Sequence, residues 1–189
     1  MFNKFVKMVY DQAVDAVKKQ IEVDEEIKKL HVEQKAERIT GKVYAEKTNE
    51  LKQQIPEIRQ QYKGAIEVIH EQFVQALADF YKIDGSKVHE DAKIFDYNVT
   101  LSKEQLEELV KKHHDNSFML QLISEYCNKH KIFISMPLNE KARREAFEQY
   151  IRDANYCVFS PYALKVSFFE NGDYDPHIDD DFPADPDKE

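Results

Sequence analysis

The closest approach to a ligand cluster in the sequence is His113-His114-Asp115. Two imidazoles and a carboxylate are suitable donors for a transition metal or for moving a proton. Their spacing argues against either use. Consecutive residues at a helix end point in different directions, so neighbours seldom meet on one ion. The run reads as a polar turn at a helix C-terminus, where the last carbonyls favour a histidine. A second set, Asn171, Asp173, Asp175 and Asp179, offers the alternating oxygen donors of a calcium loop. Gly172 is not at the sixth position, Pro176 interrupts, and no glutamate stands at the twelfth. Cys127 and Cys157 sit in no CxxC pair and no zinc-type cluster, so they read as two reduced, half-buried thiols. There is no phosphate-binding glycine loop, nucleophile elbow or HExxH sequence. The expectation is a non-enzymatic chain with no catalytic residue, no metal ligands and no cofactor.

Charge is the next source of chemistry. The 189 residues carry a net charge of −9. Residues 170–189 hold nine acidic residues against Lys188, or −8, which leaves −1 for residues 1–169. A near-neutral body without a concentrated basic face is a poor binder of phosphate backbones, so no direct nucleic-acid contact is expected. The acidic tail has two readings. Blocks of like charge act as solubilising arms. Yet Tyr174, Ile178 and Phe182 interleave with Asp175, Asp179, Asp180 and Asp181, and apolar anchors among carboxylates can dock into a basic, grooved partner.

The elements that would position these groups are helical. Four glycines and six prolines in 189 residues, with 42% hydrophobic residues, favour long helices around a core. One heptad series takes Phe2, Val9, Ala16, Val23 and Leu30 together with Val6, Ala13, Gln20 and Ile27. A second runs Leu51, Ile55, Ile58, Tyr62, Ala65, Ile69, Gln72 and Ala76, widened by Phe73, Leu77 and Phe80. Alternating steps of four and three lay a narrow apolar stripe along a helix. Two such stripes predict a coiled-coil-like hairpin over residues 1–83, closing on itself or on copies of itself in a homo-oligomer. Gly41 is expected to end or kink the first helix, and Pro56 to stand near a helix start. The second helix is expected to stop near Asp84-Gly85.

Residues 86–99 lack a helical period and read as an extended connector. Ser102 with Gln105 forms a capping box, and Leu101 with Leu106 a hydrophobic staple. A helix to Lys112, a turn, and a second helix from Ser117 to His130 resemble a helix-turn-helix. The second helix has few of the cations that a groove-reading helix presents. Residues 131–138 read as extended and partly buried, and Asn139 as the cap of a further helix. The predicted fold is thus mainly α: the hairpin, a small helical domain over residues 86–160, and an extended arm with acidic tail over 161–189. Charges recur every few residues near the N-terminus and no run of 18 apolar residues occurs, so neither a signal peptide nor a membrane span is expected. A cytoplasmic setting follows.

Three stretches carry a family resemblance: Asp91-Ala92-Lys93-Ile94, Leu101-Ser102-Lys103-Glu104-Gln105-Leu106-Glu107-Glu108-Leu109 and His114-Asp115-Asn116-Ser117-Phe118-Met119-Leu120. They resemble helix-rich proteins encoded by phages and prophages of Gram-positive bacteria, over roughly residues 80–130. Ser117-Phe118 departs from that pattern, which has a small residue followed by Thr. The resemblance implies a phage context, in the host cytoplasm or the virion. It implies a head-assembly, scaffolding or head-associated role through contacts with capsid or other virion proteins. The tail supports the alternative of a small acidic inhibitor of a basic host protein.

Overall fold

A computed structural model describes residues 2–82, 88–97 and 99–160. The chain is mainly helical, with α1 (Asn3–Lys35), α2 (Gly41–Tyr81), a 3-10 helix (Glu90–Asp96), α3 (Lys103–Lys112), α4 (Ser117–His130) and α5 (Glu140–Phe159). No helix among the described residues is long and apolar enough to cross a membrane. Residues Tyr174 to Phe182 of the tail lie outside the described residues. The chain divides into two compact units, cut at 72/73 within α2 and 146/147 within α5.

One unit comprises residues 3–72 and 147–160. Along α1 the expected stripe is inside: Val6, Val9, Ala13, Ala16, Gln20 and Val23 are buried, and Ile27 and Leu30 are half-buried. His31 faces Tyr44 at 6.0 Å between ring centroids. Gln20 meets Arg59 further along, and a cleft of about 100 Å³ is lined by Ala16 and Tyr62. These pairs ascend α2 as they descend α1, so the two segments run antiparallel. On α2, Leu51, Ile55 and Ile58 are half-buried, while Tyr62 and Ile69 are buried. Past Tyr62 the inside face departs from the expected series. Ile66 is buried and Gln72 is exposed. At 3.6 residues per turn a straight helix drifts against a strict heptad, so the inward stripe moves by one position. The C-terminal part of α5 is the third helix of this unit. His70 stacks on Phe147 at 6.4 Å, and the Arg59 guanidinium lies 5.2 Å from the Phe159 ring centre.

The turn between α1 and α2 corrects two expectations. Glu37, not Gly41, terminates the first helix. Its φ is 57°, its N–H donates to Gln34 O and the Arg38 N–H donates to Glu33 O, both at 3.0 Å. This is the double hydrogen bond of a left-handed helix stop. Gly41 instead opens α2 behind Thr40, whose Oγ1 accepts from the Val43 N–H at 3.4 Å. Pro56 lies inside α2 rather than near its start, where it removes one intrahelical donor.

The other unit holds residues 73–146 with Phe2. Phe2 sits edge-on to Phe73 and Phe80, at 5.7 and 5.6 Å between centroids. The Arg143 side chain is 1% exposed. Its Nε lies 3.0 Å from the Tyr81 hydroxyl and donates to Leu138 O at 2.9 Å. Burial of this guanidinium is offset by those bonds and by the Phe2 ring 5.1 Å away. The second helix stops at Tyr81; the expected stop at Asp84-Gly85 lies outside the described residues.

Residues 90–96 correct the extended connector: they form a 3-10 helix. His89 caps it, and Ile94 and Phe95 pack on a core of Leu101, Leu106, Val110, Ile123 and Tyr126. The capping box of α3 is present, with Gln105 N–H donating to Ser102 Oγ and Ser102 N–H to Gln105 Oε1. Asn116 caps α4 and Asn139 caps α5 through side-chain oxygens. Lys131, at φ 56°, ends α4. Residues 132–136 then alternate: Ile132, Ile134 and Met136 pack on the core, while Phe133 and Ser135 face outward.

Candidate functional site

The His113-His114-Asp115 run does not act together, but one member does. His113 stands at the helix C-terminus and turn expected there, but it is buried, at 4% exposed. It is the residue that closes α3, with its N–H on Leu109 O. α4 packs against both α3 and the 3-10 helix, and the His113 ring meets two residues at the start of the latter, His89 and Asp91. His113 Nε2 lies 2.7 Å from Asp91 Oδ2. The same carboxylate oxygen is 2.7 Å from the Lys112 ammonium and 3.4 Å from His89 Nδ1. The His89 and His113 rings meet edge-on at 4.6 Å. Two imidazoles and one ammonium thus converge on a single carboxylate oxygen. His114 turns away, 3.1 Å from Lys111 O.

Asp91 is strongly ionised. The hydrogen bond from Lys112 and then that from His113 lower its pKa to about 2 from an ordinary 3.8. A carboxylate that charged fixes the orientation of the buried imidazole it holds. His89 Nδ1 accepts from the Asp91 N–H at 3.2 Å, which caps the 3-10 helix. Asp91 and Lys112 also line an open cleft of about 330 Å³ with Ile94, Leu101, Glu108 and Leu109.

The other surface features are apolar. A groove of about 380 Å³ is lined by Phe118, Leu120, Met136, Pro137 and Leu138. Phe133 is 86% exposed, and Tyr97 and Val99 are also exposed. Neither cysteine is a nucleophile. Both are buried and free. Burial first, and Asp153 second, push the Cys157 thiol up to about 11, and burial raises Cys127 too. A neutral thiol is a poor nucleophile.

Sequence reading missed the pairing of Asp91 with His113, although both Asp91 and the turn were visible in the stretches that carried the family resemblance. Nothing in residue spacing joins positions 22 apart across a connector. An H-x-D pair ahead of a two-histidine turn is the one signal that was available. No family model, curated protein or solved structure matches the chain.

Proposed function

We propose that the chain works by protein–protein contact, without catalysis, as a head-assembly or head-associated component of a phage particle. The observation that carries the contact reading is Phe133. Its neighbours Ile132 and Ile134 are anchored in the core, so an aromatic ring that is 86% exposed is held in place rather than left to collapse. Aromatic side chains presented on a fixed framework lose little entropy on binding and are frequent anchors of interfaces. The groove beside Met136 and Pro137 extends the apolar surface on the same segment. The phage setting rests on the resemblance of residues 80–130, and places the chain in the host cytoplasm or the virion. Capsid or other virion proteins are the partners; most of the α1 and α2 stripe residues are buried within the chain and do not serve as a contact between copies.

Mixing the chain with a capsid protein is expected to give co-sedimenting particles. Phe133→Ser weakens that association by roughly tenfold or more and leaves the helical circular dichroism unchanged. A chain that stays strictly monomeric, and is absent from virions and precursor heads, overturns the reading. The acidic tail supports a second reading, a small inhibitor of a basic host protein, because −8 of the −9 net charge lies in residues 170–189.

A further inference from the structure

We propose that His89, Asp91 and His113 form a three-donor site for a first-row divalent cation, with Zn²⁺ the best fit. One donor atom from each residue lies within 4.8 Å of the other two. Zinc bonds of about 2.0–2.2 Å in tetrahedral geometry set ligand atoms roughly 3.3 Å apart. His89 Nδ1 to Asp91 Oδ2, at 3.4 Å, already has that spacing. His113 Nε2 to Asp91 Oδ2, at 2.7 Å, has to open slightly.

The chemistry of the donors selects the ion. Two imidazole nitrogens and one carboxylate suit zinc and its neighbours. Calcium and magnesium need six or more oxygens, and one carboxylate does not supply them. Binding changes the hydrogen bonding at both rings: His113 Nε2 gives up the proton it shares with Asp91, and His89 Nδ1 exchanges the Asp91 N–H for the ion. The Asp91 carboxylate oxygen lies 3.4 Å from His89 Nδ1 and 2.7 Å from His113 Nε2, so one ion can reach all three donors. The elements set the frame: the 3-10 helix fixes His89 and Asp91, and the end of α3 fixes His113.

Lys112 is the internal evidence for a cation position. Its ammonium lies 2.7 Å from the oxygen that both imidazoles face. Its side chain is 56% exposed, so it can swing into solvent and give way to a metal. Exposed ion pairs of this kind contribute little, which makes the displacement cheap. The His89 side chain is 44% exposed, so the cluster is reached from solvent and a fourth ligand could be water. Three protein ligands with one open position differ from a closed structural site. The cleft lined by Asp91 and Lys112 leaves room for water or a small anion beside the ion.

The test titrates Zn²⁺ into the full-length protein by calorimetry, and Co²⁺ by visible absorption as a geometry probe. One tight equivalent and the ligand-field bands of tetrahedral cobalt are expected. His89→Ala removes the cap of the 3-10 helix together with the donor, so its fold is checked by circular dichroism, and it should weaken binding at least tenfold. Even residues behind a ligand cost roughly 10–100-fold when removed. Lys112→Ala should tighten binding roughly two- to fivefold by removing the competing cation. If the cluster only ties the 3-10 helix to α3, Lys112→Ala lowers stability and zinc binds the wild type and His89→Ala alike. That result, or no uptake by the wild type, overturns the proposal. Binding by the acidic tail is separated in the same experiment, because His89→Ala leaves the tail intact.

Discussion

Gln20 is the one polar member of the α1 stripe and is 1% exposed. Its amide is fully used. Nε2 donates to Ala16 O at 3.2 Å and Val158 O at 3.0 Å, and Oε1 accepts from Arg59 Nε at 2.9 Å. One side chain therefore joins α1, α2 and the end of α5 within a single unit. A buried polar residue in an apolar stripe fixes register at a cost in stability. Gln20→Leu leaves Arg59 Nε and Val158 O without this partner, and is expected to cost about 1–3 kcal/mol in chemical denaturation. Cys157 gives a second residue-scale expectation. Its thiol stays neutral until about pH 11, so at pH 8 it should alkylate roughly two orders of magnitude more slowly than an unfolded cysteine. Mass spectrometry of iodoacetamide-treated native and denatured protein measures the ratio. Equal rates in both states would show that burial does not protect it.

Helix ends decide the second scale. The stop at Glu37 uses a side-chain-bearing residue at φ 57°, where glycine is ordinarily found. The left-handed conformation costs roughly 1 kcal/mol for an L-residue, so Glu37→Gly should raise stability by about that amount. The opposite substitution applies at Gly64. It lies inside α2, and a Cβ added there meets nothing within 4 Å. Gly64→Ala should add about 0.5–1 kcal/mol by helix propensity and reduced unfolded-state entropy. Thermal melts of the two variants against wild type check both signs. Glu37 shows why the α1–α2 turn is hard to place from sequence: Gly41, four residues away, draws the boundary, whereas the backbone turns at a glutamate. The α3 start was legible because its signal is local. Ser102, Gln105, Leu101 and Leu106 all lie within six residues, and each makes the contact its type favours.

At the scale of the whole molecule, charge and apolar surface separate the two functional readings. Residues 170–189 carry −8, whereas Phe133 and the groove at Met136 belong to a helical unit whose residues are near neutral. Deleting residues 170–189 should leave capsid association within roughly twofold and its salt dependence nearly flat, because the contact that carries it is apolar. Loss of binding together with its salt dependence would move the conclusion to the acidic-inhibitor reading. Co-sedimentation of the truncated and full chains across a salt series distinguishes them.

Composition, stripe spacing and capping residues determined by themselves that this is a mainly helical chain, where α3 and α4 begin, and which face of α1 is inside. Those properties depend on residues within a turn or two of each other, and side-chain type alone sets them. Only the tertiary structure decided the rest. It placed the end of α5 beside Gln20, 138 positions away, shifted the inward face of α2 past Tyr62, and brought Asp91 to His113. Each of these is a contact between distant segments, and its geometry follows from how helices pack against one another, which no local pattern encodes.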